Sequence, residues 1–530
     1  MSRSRPHPSD PVDETREQVS GGPGGGQGEA AFRPAAPYVE GVLQPNFDFQ
    51  RRQFFPFLLE ILAAHAAMLQ AAGLLTREET SYCLRLLGQV NRKRLQEASY
   101  DSRFEDFFLF LQHELEQAGD PSIVGKMFLA RSRNDVGATL YRMALREELL
   151  ALASAVLDGR RTLLVLSRSH RETLIPAYTH TQPAQPTTLA HYLLAAAAFS
   201  GRDVERLRNA FAFLNRSPLG ACALTTTGFP VDRDLTAHWL GFEGLVENSY
   251  DAIASADYLT GALMAVAVAV NNLGRFVQDL LLWCTEEYGL LRLADGFVQA
   301  STIMPQKRNP VALEHARALA SRALGRAQAV LVMLHNTPFG DINDAEDDVQ
   351  PLALEALRDA RVAWSLVGAA LASAEINTKR LRELAASGLM TVTELTDVLV
   401  RRDGLAFAEA HRLVAEAVRH CGEQRTPERV VSALQQLAEV RLGRPLRTPE
   451  AELTAALTPE EFVRVRRVRG GPAPEEVTRQ IESTEEQLLE QQAWLKQKQQ
   501  LLARTHAQLQ RLVESADPTC MPRLSYGPLE

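Results

Sequence analysis

The sequence has few cysteines, no long uninterrupted apolar run and a deficit of positive charge, and each shortage removes a class of protein. Its five cysteines, Cys83, Cys222, Cys284, Cys421 and Cys520, stand singly, with no Cys-x-x-Cys and an odd total. That spacing writes neither a disulfide framework nor a zinc-ligand set, and it suits a reducing cytoplasm. No run of 18 residues is free of charged and polar groups, and the N-terminus carries Pro, Ser, Asp and Gly where a signal peptide needs an apolar stretch. A net charge of -8 and a pI near 5.9 argue against a nucleic-acid surface. The basic cluster at Arg464, Arg466, Arg467 and Arg469 is too short to reverse this. Internal repeats are missing, as are strand-period segments long enough to build a sheet. The reading is a soluble cytoplasmic protein with no nucleic-acid or membrane partner and no metal.

What is present is material for helices and a core: 45% of the 530 residues are hydrophobic and 23% charged. Residues 1–35, rich in Pro, Gly, Ser and charge, cannot bury enough apolar surface to order and read as a disordered tail. From Phe47 onward the periodicity turns helical, and Thr76 with Glu79 is a capping box. Five long helical segments follow, over about 134–170, 187–215, 250–288, 309–335 and 345–376. The third would be on the order of 55 Å long. Its apolar residues fall on more than one face, so it belongs in the interior of a multimer. Residues 474–515 read as a long amphipathic helix coiled against a neighbour. The fold class is all-α, divided as a tail (1–35), an N-terminal helical region (36–133), a central bundle (134–377), a smaller helical region (378–473) and a terminal helix with its tail (474–530).

Three blocks carry chemistry. Arg131-Ser132-Arg133-Asn134-Asp135 opens the first long helix, where free backbone NH groups and the helix dipole make either an anion site or an ordinary capped, salt-bridged start. Tyr178-Thr179-His180-Thr181-Gln182-Pro183-Ala184-Gln185-Pro186 reads as a proline-broken loop opening the second helix. Ala300-Ser301-Thr302-Ile303-Met304-Pro305-Gln306-Lys307-Arg308-Asn309-Pro310 is a loop between helices, its two prolines forbidding a continuous helix. Such a loop is a solvated connection, or one that brings a hydroxyl over an anion held by Lys307.

The third block resembles the Gly-Ser-Ser-x-Met-Pro-x-Lys-x-Asn-Pro signature of the fumarase/aspartase superfamily, with Ala300 for Gly and Thr302 for the second Ser. The first resembles the Gly-Arg-Ser-Arg-Asn-Asp block of argininosuccinate lyases, and the second their Tyr-Thr-His-x-Gln-x-Ala-Gln-Pro block. Ala64-His65-Ala66-Ala67-Met68-Leu69 and Gly470-Gly471-Pro472-Ala473-Pro474 extend that likeness toward both ends. The resemblance implies a three-part helical fold with a central long-helix bundle, four copies building a twenty-helix homotetramer core with shared active sites, no cofactor, and a small-molecule substrate. It implies Ser301 as the base that takes a proton alpha to a carboxylate, and His180 as proton donor or relay, since an imidazole ordinarily titrates near neutrality. It also implies Lys307 and Asn309 as stabilisers of the dianion, and Glu314, seven residues after Lys307, as partner of the histidine. Asn134 would bind the succinyl half, Thr179 and Gln182 the substrate, and Arg133 would shape the pocket. The expected reaction is elimination of a nitrogen leaving group from a substituted succinate to give fumarate.

The departures cluster. Met127-Phe128-Leu129-Ala130 stands where that family has Leu-His-Thr-Gly, and Asp106-Phe107-Phe108 where it has Asp-x-His, so two histidines are phenylalanines. Leu62 replaces a substrate-contacting Ser and Ala256 an Arg. Around Phe339, Asp344, Ala345 and Asp348, where the family grips the arginine end of its substrate with Tyr, Gln and Lys, none of those types occurs. Groups handling the eliminating half survive while those reading the leaving half change. Three alternatives stay open: a specialised-pathway lyase acting on another succinate, such as nitrosuccinate or an N-substituted aspartate; a non-enzymatic, crystallin-like scaffold; and a coiled-coil partner resting on the 474–515 helix.

Overall fold

Leu, Val and Ala recurring at three- and four-residue spacings can bury their surface only along one side of a helix. The computed structural model describes residues 34–423 and 426–518, and helices account for most of it. The expected tail over 1–35 lies outside the described residues except at 34 and 35, as does 519–530.

Phe55–Ala71 (α1) and Arg77–Gln89 (α2) open the chain's packed part, and Thr76 and Glu79 close the expected capping box on α2. Asp106 caps Phe107–Ala118 (α3). Arg133–Ser169 (α4) leads to an antiparallel pair, Leu174–Thr179 (β1) and Gln182–Thr188 (β2), which runs directly into Leu189–Leu214 (α5). Asp257–Trp283 (α6) follows, and then the two-residue strands Gln299–Ala300 (β3) and Arg308–Asn309 (β4), which pair with each other. Val311–Leu334 (α7) and Gln350–Ala372 (α8) complete a bundle in which α4 packs on α5 and α8, α6 on α5 and α7, and α7 on α8.

The α4–α8 crossing is set by small residues. A Cβ at Gly368 would lie 3.2 Å from the Gly159 Cα, and one at Gly159 would lie 3.1 Å from the Trp364 ring, so the backbones meet where neither helix has a side chain. Asn272 of α6 donates to Asp203 of α5 at 3.0 Å, and Tyr192 of α5 donates to Asp279 of α6 at 2.6 Å.

Beyond the bundle, Val392–Asp403 (α9), Phe407–His420 (α10) and Pro427–Leu442 (α11) gather a second core around Leu395, Leu399, Leu413, Val430 and Leu434. The chain then returns as Pro474–Ser515 (α12), which lies along α4 and α5 and reaches α1 and α2. Its anchor is the fully buried Arg160 of α4, which donates to the Ala197 carbonyl at 2.9 Å, to Gln491 at 2.6 Å and to Gln487 at 3.1 Å. The neighbour of the amphipathic 474–515 helix is therefore the chain's own bundle.

Two other expectations are corrected. The third long segment is not one helix over 250–288: Ser249–Ala254 stops, and α6 starts at Asp257 and ends at Trp283, with Asn248 capping the short piece. At 1.5 Å per residue α6 spans about 40 Å. By length and composition it could cross a membrane, but most of its apolar face is core, from Leu259 through Val266 to Leu280. The Tyr178–Pro186 block, read as a loop, is a hairpin, so strand pairing occurs where no strand period was visible. Prolines at 176, 183 and 186 interrupt the alternation but leave enough ladder bonds for two strands.

Gly368→Val will force α4 and α8 apart, and we expect a loss of about 1–3 kcal/mol in unfolding free energy by chemical denaturation. An unchanged midpoint would show that the close approach is not required.

Candidate active site

The first block forms the start of α4. Ser132 is the N-cap: its hydroxyl accepts from the Asn134 amide, while the Asp135 carboxylate accepts from the Ser132 amide at 2.9 Å. The second Asp135 oxygen accepts from the Gly220 and Cys222 amides at 2.8 and 3.0 Å. Burial pushes this carboxyl up to about 6, against the three amides that favour its ionised form. Asn134 and Arg133 are thereby presented to a cavity of about 340 Å³ bounded by the 38–54 segment, residues 105–108 and residues 341–348. Arg133 donates to Glu105 at 2.7 Å and to Asp106 at 3.1 Å.

Arg131, just before the cap, has no hydrogen-bond partner for any of its three guanidinium nitrogens among the described residues. It lies instead between two rings, 5.0 Å from the Phe108 centroid and 4.4 Å from that of Phe128, and burial lowers its pKa to about 9. Those rings are the two phenylalanines that depart from the resembled pattern, so the paired changes build an aromatic clamp. Sequence reasoning noted both phenylalanines and missed the arginine between them; two histidines lost together around one arginine was the available signal. His65 sits beneath, its Nε2 2.8 Å from the Leu129 carbonyl, and burial followed by the nearby Arg131 lowers its pKa to about 3. Ala130 holds a φ of 59°, a left-handed value that the glycine of the resembled pattern adopts without strain.

The second block forms the hairpin tip. Thr179 pairs with Gln182, and His180 and Thr181 make the two-residue turn with φ of 51° and 63°. Two positive φ values in succession are the backbone of a type I′ turn, which matches strand twist and is ordinarily filled by Asn-Gly. A histidine and a β-branched threonine there are strained, and the strain projects an exposed His180 from a fixed support.

In the third block the β3–β4 ladder ties Gln299 to Asn309 and Ala300 to Arg308, closing a loop whose Lys307 amide donates to the Met304 carbonyl at 3.1 Å. Ser301 Oγ accepts from the amides of Ile303 and Met304 at 3.3 and 3.1 Å. Arg308 fastens the loop's base to Asp295 at 2.6 Å. Lys307 and Glu314 are exposed, Glu314 in the first turn of α7.

One chain does not gather the three blocks. None of the residues lining the cavity beside Asn134 comes from 178–186 or 299–314, and among the described residues no hydrogen bond or ion pair joins His180, Glu314 or Ser301 to one another. No group of three or more His, Cys, Asp or Glu side chains among the described residues is arranged to hold a metal.

Comparison with known proteins gives a consistent picture. A lyase family model matches residues 114–325, and an argininosuccinate lyase C-terminal model matches residues 389–464. Argininosuccinate lyase 2 of Agrobacterium fabrum is 36% identical over 452 residues, 85% of this chain and 90% of that protein. Argininosuccinate lyase of Methanocaldococcus jannaschii is 35% identical over 80% of this chain and 87% of its own length. Among solved structures, EDDS lyase in complex with formate superposes with a TM-score of 0.81 at 32% identity, covering 92% of this chain and 97% of that one.

Asp347, in the cavity wall, accepts from Gln50 at 2.8 Å and from Tyr141 at 2.7 Å, and burial holds its carboxyl at about 6. Its folded value lies above its ordinary 3.8, so its contribution to stability is complete below that value and is lost as pH rises through about 6. Asp347→Asn does not titrate there, so its stability relative to the parent should rise by roughly 2–3 kcal/mol between pH 4 and pH 7. Urea unfolding at several pH values checks this, and a gap that stays constant or moves the other way refutes the assignment.

Proposed function

We infer, because this chain belongs to the argininosuccinate lyase family of the fumarase/aspartase superfamily, that it is a C–N lyase releasing fumarate from a substituted succinate, and that its three blocks work together only in an assembly. The wider fold and the family sequence likeness support the reaction class. The residue roles are our own reading.

Ser301 is the base. Its Oγ already receives two backbone amides, an arrangement that favours an oxyanion over a neutral hydroxyl. It takes the proton from the substrate carbon next to the distal carboxylate, and the charge spreads into that carboxylate as a dianion. Lys307, at the far side of the same pinned loop, and Asn309, on β4, stabilise that charge as it develops. His180 delivers the proton that leaves with the nitrogen, with Glu314 as its carboxylate partner. Thr179 and Gln182, facing each other across the hairpin, hold the substrate, and Asn134 holds the succinyl half inside the wall that Arg133 shapes. The C–N electron pair departs on nitrogen, and fumarate remains.

The observation that carries this reading is the Ser301 loop itself, clamped by β3 and β4 at the head of α7 with its hydroxyl on two amides. Separation of the blocks within one chain supports shared sites in a homotetramer of twenty long helices. Apolar side chains standing open on the bundle helices, among them Val165, Phe213, Val332 and Val362, supply surface for it. We read residues 36–133, 134–377, 378–473 and 474–530 as its working units, in a soluble, cytoplasmic enzyme.

Ser301→Ala should lower kcat for fumarate release from argininosuccinate or an N-substituted aspartate by about 10²–10⁴-fold, followed by the ultraviolet absorbance of fumarate. Retention of full activity would sink the assignment. Mixing Ser301→Ala with Asn134→Ala subunits through a dissociation and reassembly step should restore part of the activity, because some sites then draw both intact blocks from different chains. Mixtures as inactive as either parent would place each site within one subunit.

A further inference from the structure

No step of the elimination uses the charge on Arg131. Its three guanidinium nitrogens are closed off from solvent and have no hydrogen-bond partner among the described residues. The chain's own packing closes them off, so a neighbouring subunit has no route to them. The rings of Phe108 and Phe128, centred 5.0 and 4.4 Å away, attract the cation without accepting a conventional hydrogen bond. A methionine would fill that slot without the cost of burying a charge. What it could not supply is a cation beside Asp135. An arginine lowered to about 9 remains such a cation at neutral pH.

Asp135 follows Arg131 by four positions and is fully buried on the amides of Ser132, Gly220 and Cys222. The two groups favour each other's charged forms with no hydrogen bond between them. The stretch leading to the cap is tied from two further sides: His65 Nε2 of α1 lies 2.8 Å from the Leu129 carbonyl, and the Cys222 thiol donates to the Ala130 carbonyl at 3.3 Å. The groups around Asp135 hold one state through neutrality. Burial, then Asp135 itself, pushes the Cys222 thiol up to about 11, and burial, then Arg131, holds His65 at about 3. Arg133 is bonded to Glu105 and Asp106, and Arg233 to the carbonyls of Leu219, Val246 and Glu247. Phe108 borders the cavity together with Asn134, so the clamp and the site share a wall.

We propose that Arg131 is a positioning residue: a cation held by two rings instead of by hydrogen bonds, whose charge keeps the Asp135 carboxylate on its three amides and so keeps Asn134 and Arg133 facing the substrate cavity. It touches no substrate, and its effect on turnover rests on the lyase reading above. A proton on Asp135 would cancel the charge that draws the three amides together and loosen the cap. Arg131 defers that event to lower pH.

The test compares the full-length enzyme with Arg131→Met and Arg131→Lys, each checked for folding by circular dichroism. In the first arm kcat/KM for fumarate release from argininosuccinate or an N-substituted aspartate is followed from pH 5 to pH 9. The acid limb of Arg131→Met should move to higher pH by about one unit, a loss of roughly tenfold at its foot with little change above pH 8. Arg131→Lys, charged over that range, should keep the parent's limb. A merely structural role would instead lower kcat/KM by one factor at every pH. An unmoved limb in Arg131→Met, or a limb in Arg131→Lys that moves as far, overturns the proposal.

The second arm needs no turnover. Removing the cation raises the folded value of Asp135 further above its ordinary 3.8, and the stability that this raised value contributes is lost as pH rises through it. The urea midpoint of Arg131→Met relative to the parent should therefore fall between pH 5 and pH 8, and a flat difference overturns the proposal. In an Asp135→Asn background Arg131→Met should leave no such pH dependence; if one persists, the effect belongs to another group and the proposal fails. Should Arg131→Met not fold, Arg131→Gln replaces it in both arms. A parent that releases no fumarate from any of these substrates sinks the lyase reading, while the unfolding arm still decides whether Arg131 holds Asp135.

Discussion

The carboxylate of Asp135 is shared between two tasks, and the geometry of the α4 entrance depends on it. One oxygen closes the helix cap on the Ser132 amide, and the other draws in the Gly220 and Cys222 amides from a segment more than eighty residues away. A buried acid with three amide donors has its oxygens satisfied by the backbone, and the charge of the neighbouring Arg131 favours its ionised form without a hydrogen bond to it. Asn134 can then face a cavity and Arg133 can turn to its acids. The rest of the bundle supplies stiffness to this point: α4 is held on one side by α5, on another by α8 at the Gly159–Gly368 approach, and along its length by α12.

Much of this was legible in the chain, because the legible parts are local. Four of the five long segments were placed to within a few residues, since apolar periodicity and proline breaks act over a few turns. The capping box at Thr76 follows from a four-residue pattern, and the Ser301 loop follows from its prolines. The hairpin was not legible: its turn relies on left-handed backbone at His180 and at Thr181, a β-branched residue that ordinarily avoids it, with no Asn-Gly to announce it. The break at Ser255 and Ala256 was hidden by the helix-forming residues that surround it. The clamp on Arg131 was not legible either, because a guanidinium stacked between rings from positions 108 and 128 is a relation in space, not in spacing.

The candidate site shows the same division. Which residues carry the three blocks is a matter of motif, and the chain states it. Where they sit is a matter of folding, and one chain leaves His180, Ser301 and Asn134 on separate supports: a strained hairpin tip, a ladder-clamped loop and a capped helix start. Each support fixes the backbone of its residue within the chain itself. The cavity wall adds a property that no motif carried. Its acids come from two segments more than two hundred residues apart, and only folding makes them neighbours.

The bond between Arg160 and Gln491 has a bearing on how the protein is made. The two residues are separated by 331 positions, and until α12 has left the ribosome the guanidinium on α4 has no Gln491 to meet. A nascent chain can therefore stack its long helices in order of synthesis but cannot seal the bundle. Completion waits for a stretch 331 positions beyond Arg160 to emerge, which makes α12 the clasp of co-translational folding.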